Sequence, residues 1–120
     1  MTLAPILLWI RRPPYTTAHF AEAVRVAGMA AALDQPVRFL FIAEGVRVLA
    51  RGQAGYRLGP PVQRMLQEIV SEDQPALVHA PSLDHRGIAR DDLVEGVAVR
   101  LIEDDEAARS LVEAGRTVTM

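Results

Sequence analysis

Between residues 37 and 43 the chain runs Val-Arg-Phe-Leu-Phe-Ile-Ala, seven positions with a single charge. A strand with one wet face alternates polar and apolar residues, and this one does not. It reads as a strand covered on both faces, the condition of a central strand in a parallel sheet. Residues 5–10 (PILLWI) have the same character and predict a first buried strand. The prolines of residues 11–15 (RRPPY) forbid helix and ladder alike and make a loop. Thr16 or Thr17 then caps a helix to about Leu33. Its small residues Ala21, Val24, Ala27, Gly28 and Ala31 would let it approach a sheet closely. Only Glu22 and Arg25 break its apolar circumference, so more than one face is expected to be covered.

The central strand stops at Glu44-Gly45, and residues 46–50 predict one or two helical turns. Residues 51–61 (RGQAGYRLGPP) have no period and are expected to form a mobile loop. Val62, Met65, Leu66, Ile69 and Val70 follow the spacing of a one-sided helix ending near Glu72. Residues 76–80 (ALVHA) give a third strand, residues 81–87 (PSLDHRG) a loop, and residues 88–95 a short helix or turn. A fourth strand is expected over 97–102. Asp104 or Asp105 would cap a last helix through Glu113, and after Gly115 residues 116–120 form a terminal strand. Helices between successive strands imply right-handed crossovers. The predicted architecture is a single α/β domain over 1–120, three layers deep, with helices on both sides of a mainly parallel five-stranded sheet.

Composition narrows the chemistry. Fifty per cent of the 120 residues are hydrophobic and the net charge is −2, without the basic excess of a nucleic-acid binder. All 13 cationic residues are Arg, so Lys Schiff-base chemistry is excluded. There is no Cys, hence no disulfide, thiolate metal site or thiol reaction within the chain. The apolar run 3–10 is too short to span a bilayer, and its two Arg follow rather than precede it, the reverse of a secretory signal. A soluble cytoplasmic protein without membrane or nucleic-acid partners is expected.

Candidate site residues cluster at predicted strand ends. Arg11 and Arg12 precede a helix N-terminus and could hold an anion, with Tyr15 and His19 bordering the same spot. The loop has prolines where phosphate loops have glycines, so a surface or interface pair of Arg is the competing reading. Glu44 is either a functional carboxylate or part of a turn whose Gly45 relieves backbone strain. His79 interrupts an apolar strand, either as a site residue or as a His packed in an interface or satisfied by backbone. Asp84, His85 and Arg86 with His79 and Glu44 lack rigid metal-ligand spacing, so a solvated loop is expected and no metal or cofactor. The acidic run 103–106 compensates a helix dipole, and Trp9 belongs to the core.

Three pieces stand together: a strand with a proline-containing loop and an Ala-rich helix, then VRFLFIAEGV, then VHAPSLDHRGI. In this order they resemble the DsrE/DsrF family of sulfur-relay proteins, most closely its DsrF or TusC branch. The resemblance implies a DsrE-like α/β/α fold, cytoplasmic location and assembly into trimers or hexamers, as a homo-oligomer or with related subunits. In sulfur-carrying members a Cys at the end of the third strand takes a persulfide. The matching position here is His79, and imidazole cannot do that. The resemblance therefore implies a non-catalytic subunit beside a Cys-bearing partner. A small-molecule or anion-binding protein using a crevice of Arg11, Arg12, Glu44 and His79 is the alternative, and an enzyme using His79 with a carboxylate ranks last.

Overall fold

A computed structural model describes residues 3–13, 19–51 and 62–120, with the side chains of His19, Val62, Gln63 and Met65 outside the described set. Five strands alternate with helices: β1 (Ile6–Ile10), α1 (His19–Ala32), β2 (Val37–Phe41), a 3-10 helix (Ala43–Leu49), α2 (Val62–Ile69), β3 (Ala76–His79), α3 (Ala80–His85), a 3-10 turn (Arg90–Asp92), β4 (Val99–Ile102), α4 (Asp104–Glu113) and β5 (Arg116–Thr119). The sheet order is β4-β3-β2-β1-β5, and each neighbouring pair is parallel. One isolated antiparallel bridge joins Ala50 to Leu93. The three-layer α/β/α expectation holds.

Pairing register assigns the two faces. Leu8 lies beside Phe39, and Phe41 beside Val78, on a face that packs against Phe20, Val24 and Ala27 of α1, Leu66 of α2 and Val46 and Leu49 of the 3-10 helix. Phe41 stands edge-on to Phe20 and stacks on Phe39 at centroid distances of 5.8 and 5.9 Å. The opposite face is thinner. Leu7, Leu40, Leu77 and Ile102 meet α4 chiefly through Ala107, with Trp9 and Ala114 at the margin. Trp9 is thus half-buried rather than a core residue.

α1 turns a different side inward than its small residues suggest. Phe20, Ala23, Val24 and Ala27 are buried at i, i+3, i+4 and i+7, while Ala31 is exposed. The large Phe20 and Val24 side chains remove more apolar area from water than an all-small stripe would, and that decides the rotation. The helix ends at Asp34, whose φ of 60° lets the Asp34 and Gln35 amides reach the Ala31 and Ala30 carbonyls.

Residues 81–85 are helical where a loop was expected. Pro81 sits in the first turn of α3, where its missing N–H costs nothing. The predicted cap of α4 also differs. Glu103 occupies the cap position without a side-chain bond, and Asp104 begins the helix with its carboxylate turned elsewhere. The loop expected at 51–61 and the caps expected at Thr16 or Thr17 lie outside the described residues, Arg51 excepted.

Candidate functional site

The chain steps from β1 through β2 and β3 to β4 in one direction, then returns across the thin face on α4 to lay β5 on the far side of β1. The helix that leaves β1 (α1) and the helix that leads into β5 (α4) therefore lie on opposite faces, which leaves the C-terminal ends of this strand pair uncovered. A cavity of about 600 Å³ lies there, lined by Arg11, Arg12, Ala43, Glu44, Thr119 and Met120. Its floor is backbone: the Arg11 amide donates to the Met120 carbonyl at 3.0 Å, and the Ile42 amide to the Ile10 carbonyl at 3.0 Å. Gly45 packs directly on that Ile10 carbonyl. The glycine is needed for this approach and not for an unusual φ. The residue with a left-handed backbone is Ala43, at φ 55°. That corrects the expectation that Gly45 relieves a strained turn.

The structure brings Arg11, Arg12 and Glu44 together, as expected, and leaves His79 out of the lining. Both Arg are exposed, and no described carboxylate pairs with either. Glu44 is already engaged. It accepts from Arg47 Nε and, at 2.9 Å, from Arg86 Nε, while Arg86 also donates to the Ser82 carbonyl at 3.1 Å. The bond from Arg47, then that from Arg86, holds the Glu44 carboxyl below the usual carboxylate range, so it is ionised at neutral pH. Glu44 thus ties the 3-10 helix to α3 at the rim and is not a spare catalytic carboxylate. Tyr15 lies outside the described residues; His19 opens α1, and nothing is described of its side chain.

His79 ends β3 and turns toward the α4 face, where Ile102 is its register partner. Its Nδ1 lies 2.7 Å from Ser82 Oγ and its Nε2 2.5 Å from Asp104 Oδ1. A carboxylate can only accept, so Nε2 carries the proton and Nδ1 accepts from the Ser82 hydroxyl when the ring is neutral. Ser82 Oγ in turn accepts from the Ala43 amide at 2.9 Å.

The set has the composition of a nucleophilic triad, but its ring nitrogens are exchanged relative to that arrangement, where the serine meets Nε2. Ser82 is 5% exposed, and its oxygen already holds the Ala43 amide. Its lone pair and its proton are thus both committed within the fold. The array is a clamp that pins the left-handed Ala43 peptide, and through it the crevice wall, to α3.

Ser82 and Asp104 were not among the expected site residues. His79 and Ser82 face one another because α3 begins directly after β3, a geometry a loop assignment hides. Asp84 and His85 are exposed, and among the described residues no group of three acidic or His side chains could hold a metal ion.

A model of the DsrE/DsrF-like family matches residues 5–119. The intracellular sulfur oxidation protein DsrF of Allochromatium vinosum is 37% identical over 107 residues, 86% of this chain and 76% of that protein. Two solved structures share the fold at 21% identity. The ychN protein of E. coli superimposes with a TM-score of 0.82, covering 98% of this chain and 100% of that one. A protein of unknown function from Methanobacterium thermoautotrophicum gives 0.62, covering 97% and 99%.

Proposed function

The chain belongs to the DsrE/DsrF-like family, and from that premise we propose that it is a subunit of an oligomeric assembly for intracellular sulfur relay. Without a Cys it cannot carry a persulfide itself. Its role is structural, beside a sister subunit that supplies the thiol. The clamp around His79 supports this, since it fixes an unreactive ring where the resemblance places the sulfur-carrying Cys.

The observation that carries the assembly is on the outer side of α1. Val26 and Met29 are 52% and 57% exposed, and Leu33, just past the helix, 81%. Their i, i+3, i+7 spacing makes one apolar stripe, edged by the exposed Glu22–Arg25 pair. Contiguous apolar surface rimmed by charge is the mark of an interaction site.

Light scattering on the purified chain, alone and mixed with a Cys-bearing DsrE-like protein from the same organism, tests the reading. In at least one sample this 13.1 kDa chain is expected in a particle of several subunits. The double substitution Val26→Asp, Met29→Asp should return it to monomer while leaving the far-ultraviolet spectrum unchanged. A monomer in both samples of the unaltered chain counts against the assembly.

A second reading, binding of a small anion, is favoured by the crevice at the switch point with Arg11 and Arg12 on its wall. Sulfate or phosphate should then raise the melting temperature saturably at millimolar concentration. The effect should vanish in Arg11→Gln, Arg12→Gln. Equal shifts in both proteins would remove this reading.

A further inference from the structure

The thin face of the sheet holds a charge that no described carboxylate balances. Arg38 stands on β2, the middle strand, beside Leu7 of β1 and on the face covered by α4. Its Nε is buried with no hydrogen-bond partner among the described residues. Guanidinium does not give up its proton in proteins, and its half-buried position on this face favours an anion as its partner. Arg100 adds to the demand. Its positive charge acts on Arg38, after burial, as the second influence against the charged form. Arg100 is itself balanced by Glu106 at 3.2 Å, so the unmet charge is that of Arg38.

The Arg38 side chain lines a cavity of about 250 Å³ between the sheet and α4. Pro5, Leu7, Leu77 and Ala114 supply its apolar wall, and Ser110 and Glu113 stand on the α4 side. Ser110 spends its hydroxyl proton on the Glu106 carbonyl at 2.9 Å. Glu113 is exposed, and no described cation is within ion-pair distance of it. The space is smaller than a drug-sized site of roughly 300–1,000 Å³. A short molecule fits.

We propose that this pocket binds a small monocarboxylate with a short aliphatic tail, its head gripped by Arg38 and its tail laid on Leu7 and Leu77. A planar guanidinium matches a carboxylate in a two-pronged contact, and the greasy wall rewards added methylenes. The site is separate from the strand-end crevice: the two share no lining residue, and this one lies under α4. It therefore stands or falls independently of the relay-subunit reading.

The test follows the Arg38 Nε–H resonance of the nitrogen-15-labelled chain, together with its melting temperature. Acetate, propionate and butyrate are titrated against sodium chloride at matched ionic strength. The expected result is a saturable shift of that resonance at millimolar ligand, tighter from acetate to butyrate, with a matching rise in melting temperature. In Arg38→Met, which keeps an unbranched apolar stem without the charge, the melting response should disappear. In Glu113→Gln, which removes the carboxylate that lines the pocket and could swing in as an internal rival, binding should persist or strengthen. No saturable shift in the unaltered chain overturns the proposal. So does an equal melting response in Arg38→Met, or a response seen only in Glu113→Gln, which would make Glu113 the counter-ion. Should Arg38→Met fail to fold, the resonance titration decides alone.

Discussion

Gly45→Ala should cost at least about 4 kcal/mol of folding stability, among the largest effects a single methyl group can have. A Cβ built on Gly45 would stand 2.0 Å from the Ile10 carbonyl oxygen and 2.6 Å from its carbon. Neither partner can yield cheaply. The Ile10 carbonyl is fixed by the Ile42 amide at 3.0 Å, and Gly45 by its own amide bond to the Ile42 carbonyl at 2.9 Å. Both sit where β1 and β2 end and the crevice begins, so any relief displaces the crevice floor. With a domain stability of about 5–15 kcal/mol, the variant would lose much of its reserve and be recovered poorly. Urea unfolding of the soluble fraction measures the loss. Gly28→Ala serves as the control, since a methyl group added there in α1 would meet nothing within 4 Å, and it should be neutral or stabilising by up to about 1 kcal/mol. A cost below about 1 kcal/mol at Gly45 would mean that the 3-10 helix does not lie on the end of β1 as described.

Ser82→Ala should cost about 1–3 kcal/mol, the usual consequence of orphaning a buried donor. Two bonds go at once: the Ala43 amide loses its acceptor at 2.9 Å and His79 Nδ1 its neighbour at 2.7 Å. The strain of a left-handed alanine, on the order of 1–3 kcal/mol, persists only while its surroundings enforce it. Removing the serine oxygen removes that enforcement, so amide exchange at Ala43 should speed up along with the fall in stability. A nucleophile behaves otherwise: its loss leaves the fold intact. Unchanged urea midpoints and unchanged exchange in Ser82→Ala would therefore remove the clamp and reopen a catalytic reading of the Ser82–His79–Asp104 set.

The dry run of β2 was legible because an unalternating strand has only one home in a soluble domain, between two layers of helix. Helices interleaved with strands then fixed the parallel order. The site was legible in part. Arg11, Arg12 and Glu44 could be placed together because all three follow strand ends, where loops converge in a parallel sheet. His79 was visible as an oddity in an apolar strand, but its partners were not. α3 has six residues, fewer than two turns, so no period can announce it, and its proline argued for a loop. Asp104 looked complete as compensation for a helix dipole, and only the return of α4 over β3 gives it a second use. The role of Gly45 was hidden for another reason. A glycine in a sequence marks a constraint without saying whether that constraint is a torsion or a neighbour. Arg38 belongs with these: one charge near the start of an apolar run says nothing of what covers it until the register puts it under α4.

The seam between β1 and β5 has a temporal side. Ile6 is matched to Arg116 and Trp9 to Thr119, so one side of β1 finds its mate only in a strand made more than a hundred residues later. While the ribosome works, β2 can dock on one flank of β1 as soon as α1 has wound, but the other flank stays bare until Thr119 has cleared the exit tunnel. An uncovered flank invites stray pairing. The nascent chain thus carries that hazard through the making of four strands, and the sheet closes only when β5 emerges rather than in an early collapse.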